Sequence, residues 1–106
     1  MSQFIQVTTT AGSREEADRI AAALVDCRLA GCVQIVGPMR SVYRWQGQVE
    51  QADEWLCLIK TTRERYDAVE VAIREVHSYD CPEIIATPIV AGNTAYLQWL
   101  AENVMP

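Results

Sequence analysis

The 106 residues of this chain suffice for one domain and leave nothing over for a second. Half of them are apolar and 22% are charged, a balance that excludes disorder, collagen-like repeats and coiled coil and predicts a packed core. The net charge of −5 has the wrong sign for a nucleic-acid partner or an anionic membrane surface, and no apolar run approaches the ~20 residues of a membrane span.

Residues 3–10, QFIQVTTT, are apolar and β-branched at strand length and predict a first strand, with no basic targeting region ahead of it. Ser13 followed by Glu16 is a capping-box signature, and Ala17, Ile20, Ala21, Leu24 and Cys27 recur at helical spacing. A first helix is expected over residues 14–30, stopped by Gly31. From Cys32 an extended pattern runs through Val33, Ile35 and Val36, breaks at Gly37 and Pro38, and resumes through Met39, Val42, Tyr43 and Trp45. The glycine of Trp45-Gln46-Gly47-Gln48-Val49 predicts a hairpin, with EWLCLIKT from Glu54 at the centre of the returning strand. Thr61 with Glu64, or Thr62 one residue on, can cap a second helix that carries Tyr66, Val69, Ile73 and Val76 on one side and ends near His77. The loop SYDCPE leads into a fourth strand, IIATPIV, and Gly92, Asn93 and Thr94 open a short last helix with Tyr96, Leu97, Trp99 and Leu100.

The expected fold is therefore α+β, a ferredoxin-like βαββαβ unit with a short extra C-terminal helix. In its usual strand order of four, one, three, two, the strands that contain Pro38 and Pro88 lie at the edges, where proline is tolerated. Both main helices pack on one side, yet Leu56 and Leu58 alternate with Trp55, Cys57 and Ile59, so both faces of the third strand are apolar. The last helix can cover part of the second face, and a self-associating partner is expected to cover the rest. Cys27, Cys32, Cys57 and Cys81 lack the paired spacing of a zinc ribbon or redox motif, which predicts free, mostly buried thiols in a reducing cytoplasm.

The runs SVYRWQGQVEQADEWLCLIKT, HSYDCPEIIATPIVAGNTAYLQW and CRLAGCVQIV, in that family's fixed motifs, resemble the CutA family, the divalent-cation tolerance proteins, over nearly the whole chain. The resemblance implies a small cytoplasmic protein of ferredoxin-like fold, assembled as a homotrimer through long strands and similar in architecture to the PII signalling proteins. It also implies a role in tolerance of, or response to, divalent metals such as copper.

His77, the only histidine, is the candidate metal ligand, since a neutral imidazole binds copper and zinc; the alternative is that it caps helix-terminal carbonyls or hydrogen-bonds across an interface. CutA proteins proposed to bind copper carry a cysteine on the first strand and two adjacent histidines after the second helix. Thr9 and Val76 stand at the matching positions here, so only His77 is carried over. No cofactor is required on this reading, and a divalent metal such as copper is expected to bind weakly.

Lys60, the only lysine, is a candidate for anion binding or proton transfer with Tyr79 and Glu83 approaching from the loop, or for an ion pair that fixes strand register. Trp45 and Tyr43 beside the hairpin, and Tyr96 and Trp99 on the last helix, are candidate cleft walls or packing anchors. Cys81, in a polar loop, is the thiol to test for reactivity. With no Gly-rich phosphate loop and no Ser/His/Asp arrangement, nothing specifies a reaction, and the chain is not expected to be an enzyme. The remaining readings are a trimeric metal-response protein binding an ion or small effector at subunit clefts, and a PII-like scaffold whose output is a partner protein.

Overall fold

In the computed structural model, which describes residues 3–106, every second residue of the first strand turns to one side: Ile5, Val7, Thr9 and Ala11 are buried while Phe4, Gln6 and Thr8 are only half covered. That strand, β1, spans Phe4–Ala11. After it come α1 (Arg14–Asp26), β2 (Cys32–Trp45), β3 (Gln48–Thr62), α2 (Tyr66–Val76, entered through one 3₁₀ turn at Arg63–Arg65), β4 (Ile84–Pro88) and α3 (Thr94–Asn103). The sheet is antiparallel in the order β2-β3-β1-β4, which is the ferredoxin-like α+β fold that the pattern predicted. The two proline-containing strands, β2 and β4, are its edges.

Directly paired residues share a face, so the register Val7 to Ile59 to Val33 and Thr9 to Cys57 to Ile35 defines one layer. Against it α1 sets Ala17, Ile20 and Leu24, and α2 sets Val69 and Ile73, all fully buried. Each of the larger aliphatics removed from water there contributes about 1.5–3 kcal/mol. Ser13 starts α1 as expected, its Oγ accepting from the Glu16 amide at 3.1 Å. Asn93 does the same for α3, accepting from the Tyr96 amide at 3.0 Å.

On the second face, α3 lies at the Cys32 end of the sheet. Leu100 is fully buried, and a Cβ on Gly31 would meet its Cδ1 at 2.6 Å. Leu56 and Leu58 stay half-buried, and Val36 and Ile85 are 52% and 53% exposed, so this face is only partly covered within one chain. Past a bulge between Val36 and Met39, at the cis Gly37-Pro38 bond, β2 and β3 continue as a two-stranded arm from the Met39–Glu54 pair to the Trp45–Gln48 pair. The chain is correspondingly long, 44 × 25 × 22 Å. The arm turns at Gln46 and Gly47, with φ of 52° and 79°, the double left-handed turn that matches strand twist.

Several boundaries differ from the sequence expectation. α1 ends at Asp26 and not near Ala30, because Arg28 takes the left-handed conformation (φ 60°) and the Leu24 carbonyl accepts from the amides of Leu29 and Ala30. Gly31 is no helix stop; it is the place where Leu100 comes close. Neither Thr61 nor Thr62 caps the second helix: the Thr61 hydroxyl donates to the Leu29 carbonyl at 2.7 Å, and Thr62 makes no side-chain cap bond. β4 stops at Pro88, two residues short of Val90. The four cysteines are free, but only Cys57 is buried; Cys27 and Cys81 are exposed and Cys32 is half covered.

Candidate functional site

The C-terminal end of α2 returns the chain to β1 through His77. Its imidazole is completely enclosed, and both ring nitrogens are engaged. Nε2 lies 2.6 Å from the Thr10 carbonyl, which can only accept, so Nε2 carries the proton. Nδ1 accepts from the Tyr79 amide at 3.1 Å. Glu16 completes this buried cluster. Its side chain turns inward, and Oε2, without a hydrogen-bond partner, sits 3.5 Å from Nδ1. Thr9 Oγ1 is buried and unpaired as well.

The His77 bond to the Tyr79 amide fixes the start of the 77–83 loop, and the two rings pack with centroids 4.7 Å apart. Tyr79 then reaches across to β3, its hydroxyl donating to Glu54 Oε2 at 2.9 Å. Burial, then the hydrogen bond and charge of Glu54, push the Tyr79 phenol up to about 12, so it stays a neutral donor at any physiological pH. Glu54 itself is only 8% exposed, at the point where the arm leaves the sheet.

Above this pair opens a cleft of about 580 Å³. Thr10 and Glu54 line it from the sheet, Tyr43 and Trp45 from the arm, and Tyr79, Cys81 and Glu83 from the loop. Asp80 adds a third carboxylate, and no Lys or Arg is among the lining residues.

Of the residues singled out in the sequence, the structure brings Trp45, Tyr79, Glu83, Tyr43 and Cys81 together in this cleft. Lys60 is elsewhere. It pairs in register with Gln6 and Cys32, six residues along β3 from Glu54, a separation of about 20 Å at ~3.3 Å per residue. Its ammonium donates to Gln34 on the partly covered face, so within one chain Lys60 does not group with Tyr79 and Glu83. Tyr96 and Trp99 also stay apart from the cleft and pack on each other at 5.5 Å. Sequence reasoning passed over Glu54. The available signal was a carboxylate at the head of an apolar strand, since buried acids are nearly always paired.

A family model described as the CutA1 divalent ion tolerance protein matches residues 5–103. The chain belongs to the CutA1 family. The divalent-cation tolerance protein CutA of Thermus thermophilus is 47% identical over 97 residues, which span 92% of this chain and 94% of that protein. The Thermus thermophilus CutA1 structure superposes with a TM-score of 0.94 at 45% identity, covering 96% of this chain and 99% of its own. CutA1 of the psychrotrophic bacterium Shewanella sp. SIB1 superposes with a TM-score of 0.96 at 38% identity, covering 99% and 98%. A CutA of Archaeoglobus fulgidus described as periplasmic gives 0.93 at 38% identity, covering 96% and 99%. No helix among the described residues of this chain is long and apolar enough to cross a membrane.

A CutA1 protein invites a test of metal fit. His77 offers no free lone pair: binding a metal through Nδ1 costs the Tyr79 bond, and through Nε2 the proton shared with Thr10. Among the described residues no three His, Cys, Asp or Glu side chains gather closely enough to hold an ion. The donors of a single chain thus do not fit a tightly bound metal, and within that chain His77 joins α2 and the cleft loop to β1.

Proposed function

We propose that this CutA1 chain serves divalent-cation tolerance as a cytoplasmic homotrimer that binds a small effector in the Glu54–Tyr79 cleft, with copper held only weakly. The observation that carries the reading is the cleft itself. A buried carboxylate and a neutral tyrosine are locked together beneath exposed aromatic rings, on a loop that His77 holds in place. Preformed concave sites with a few fixed polar groups are where small ligands bind. Assembly is supported by the half-covered second face and by Val49 on the arm, 59% exposed, which a lone chain leaves in water. A PII-like output through a partner protein is compatible with the same cleft.

The test is complementation of copper sensitivity in a strain that lacks the gene. The wild-type chain is expected to restore growth on copper, and Glu54→Gln, verified as folded and of unchanged oligomeric state, is expected to fail. Full rescue by that variant would remove the cleft from the function. Calorimetric titration with copper(II) is expected to show no stoichiometric saturation at micromolar protein.

A further inference from the structure

We propose that the cleft is a binding site for an organic ammonium cation, an inference that rests on reading this cleft as the working site. Tyr43, Trp45 and Tyr79 line it and, in the single chain, keep 43%, 48% and 37% of their surface open. The same lining holds Glu54, Asp80 and Glu83. The face of an aromatic ring attracts a cation within ~6 Å of its centre, and most strongly a tryptophan. Carboxylates supply the counter-charge, and the chain's net −5 draws cations towards it. An anionic ligand would meet three like charges and no lysine or arginine in the lining.

The lining also discriminates among cations. A divalent metal needs several donor atoms converging on one point at ~2.0–2.6 Å, and the described residues offer no such group of three. Here the lining combines carboxylates with aromatic rings. That arrangement suits a charge distributed over alkyl groups, which packs against ring faces and takes its neutralisation at longer range. The cleft's volume of about 580 Å³ lies within the range of small-molecule sites. Two features preorganise it. The Tyr79 hydroxyl bond to Glu54 holds ring and carboxylate in place, and the His77 ring packs against Tyr79.

The experiment is a titration of the intact oligomer with tetramethylammonium chloride, read from the Trp45 indole resonance, with sodium chloride at matched ionic strength as the salt control. Neopentyl alcohol, the neutral molecule of similar shape, is titrated alongside. The ammonium is expected to shift the Trp45 signal saturably and the alcohol to bind about tenfold more weakly, the order of a desolvated cation–π contact. Trp45→Ala, followed through the Cys81 amide, is expected to weaken ammonium binding by a similar factor, and Glu54→Gln likewise. Equal binding of the neutral alcohol would overturn the inference. So would an unmoved Trp45 signal, including the case in which a second copy of the chain fills the cleft. Failure of the functional reading is distinguishable: Glu54→Gln would rescue copper growth while the ammonium titration still saturated.

Discussion

Replacement of His77 by alanine separates a structural imidazole from a metal ligand. The ring is enclosed, donates to the Thr10 carbonyl at 2.6 Å and accepts from the Tyr79 amide at 3.1 Å. Two lost hydrogen bonds at about 1 kcal/mol each, with about 1–2 kcal/mol for the void the ring leaves, give a destabilisation of about 3–4 kcal/mol. That is a large share of the roughly 5–15 kcal/mol by which domains are stable. The assay is urea unfolding followed by circular dichroism in excess chelator, at one protein concentration so that mass action is equal for both proteins. His77→Gln, which can still donate to Thr10, is expected to recover part of the loss. A change below about 0.5 kcal/mol in chelator, with a deficit appearing only when copper is added, would refute the structural assignment.

Gly31→Ala should cost about 1–3 kcal/mol in the same assay, because the new methyl group drives into the fully buried Leu100; no change would mean that α3 is loosely docked. The Cys57 thiol is pushed up from 9.0 to about 11, by burial first and then by Asp18 and Glu16. Between those two pH values the folded chain keeps a proton that the unfolded chain has lost. This contribution to stability is therefore complete below pH 9 and falls as pH rises through that window, by at most about 1.4 kcal/mol per pH unit, and a Cys57→Ala variant should lack this component of the slope. Thiol labelling of the native protein at pH 8 should modify Cys81 and Cys27 and spare Cys57; rapid modification of Cys57 would contradict its burial. Light scattering after size exclusion should give about three times the 11.9 kDa chain mass, and Leu58→Asp on the half-covered face should lower it whereas Arg19→Asp on the exposed side of α1 should not.

Short-range pattern was enough for the order of the elements. The hairpin turn at Gln46 and Gly47, the caps at Ser13 and Asn93 and the helical spacing of Ile20 and Leu24 all lie within windows of a few residues, where backbone propensity and periodicity act directly. The two-faced apolar character of β3 was legible for the same reason, and the motif order carried the family.

What the sequence left open depends on register and on which faces meet. Lys60 and Glu54 sit on one strand, yet an extended backbone sets them about 20 Å apart, and only the pairing with Gln6 and Cys32 shows which end of the sheet Lys60 joins. Thr61 has the chemistry of a cap and spends its hydroxyl on Leu29, 32 residues away, because burial beside that carbonyl outweighs a local bond. His77 meets Thr10 across 67 residues and Tyr79 meets Glu54 across 25. These contacts make His77 the brace of a cleft within the chain. No local window contains them, since they exist only once two helices have packed on one face of the sheet and returned the loop to the root of the arm.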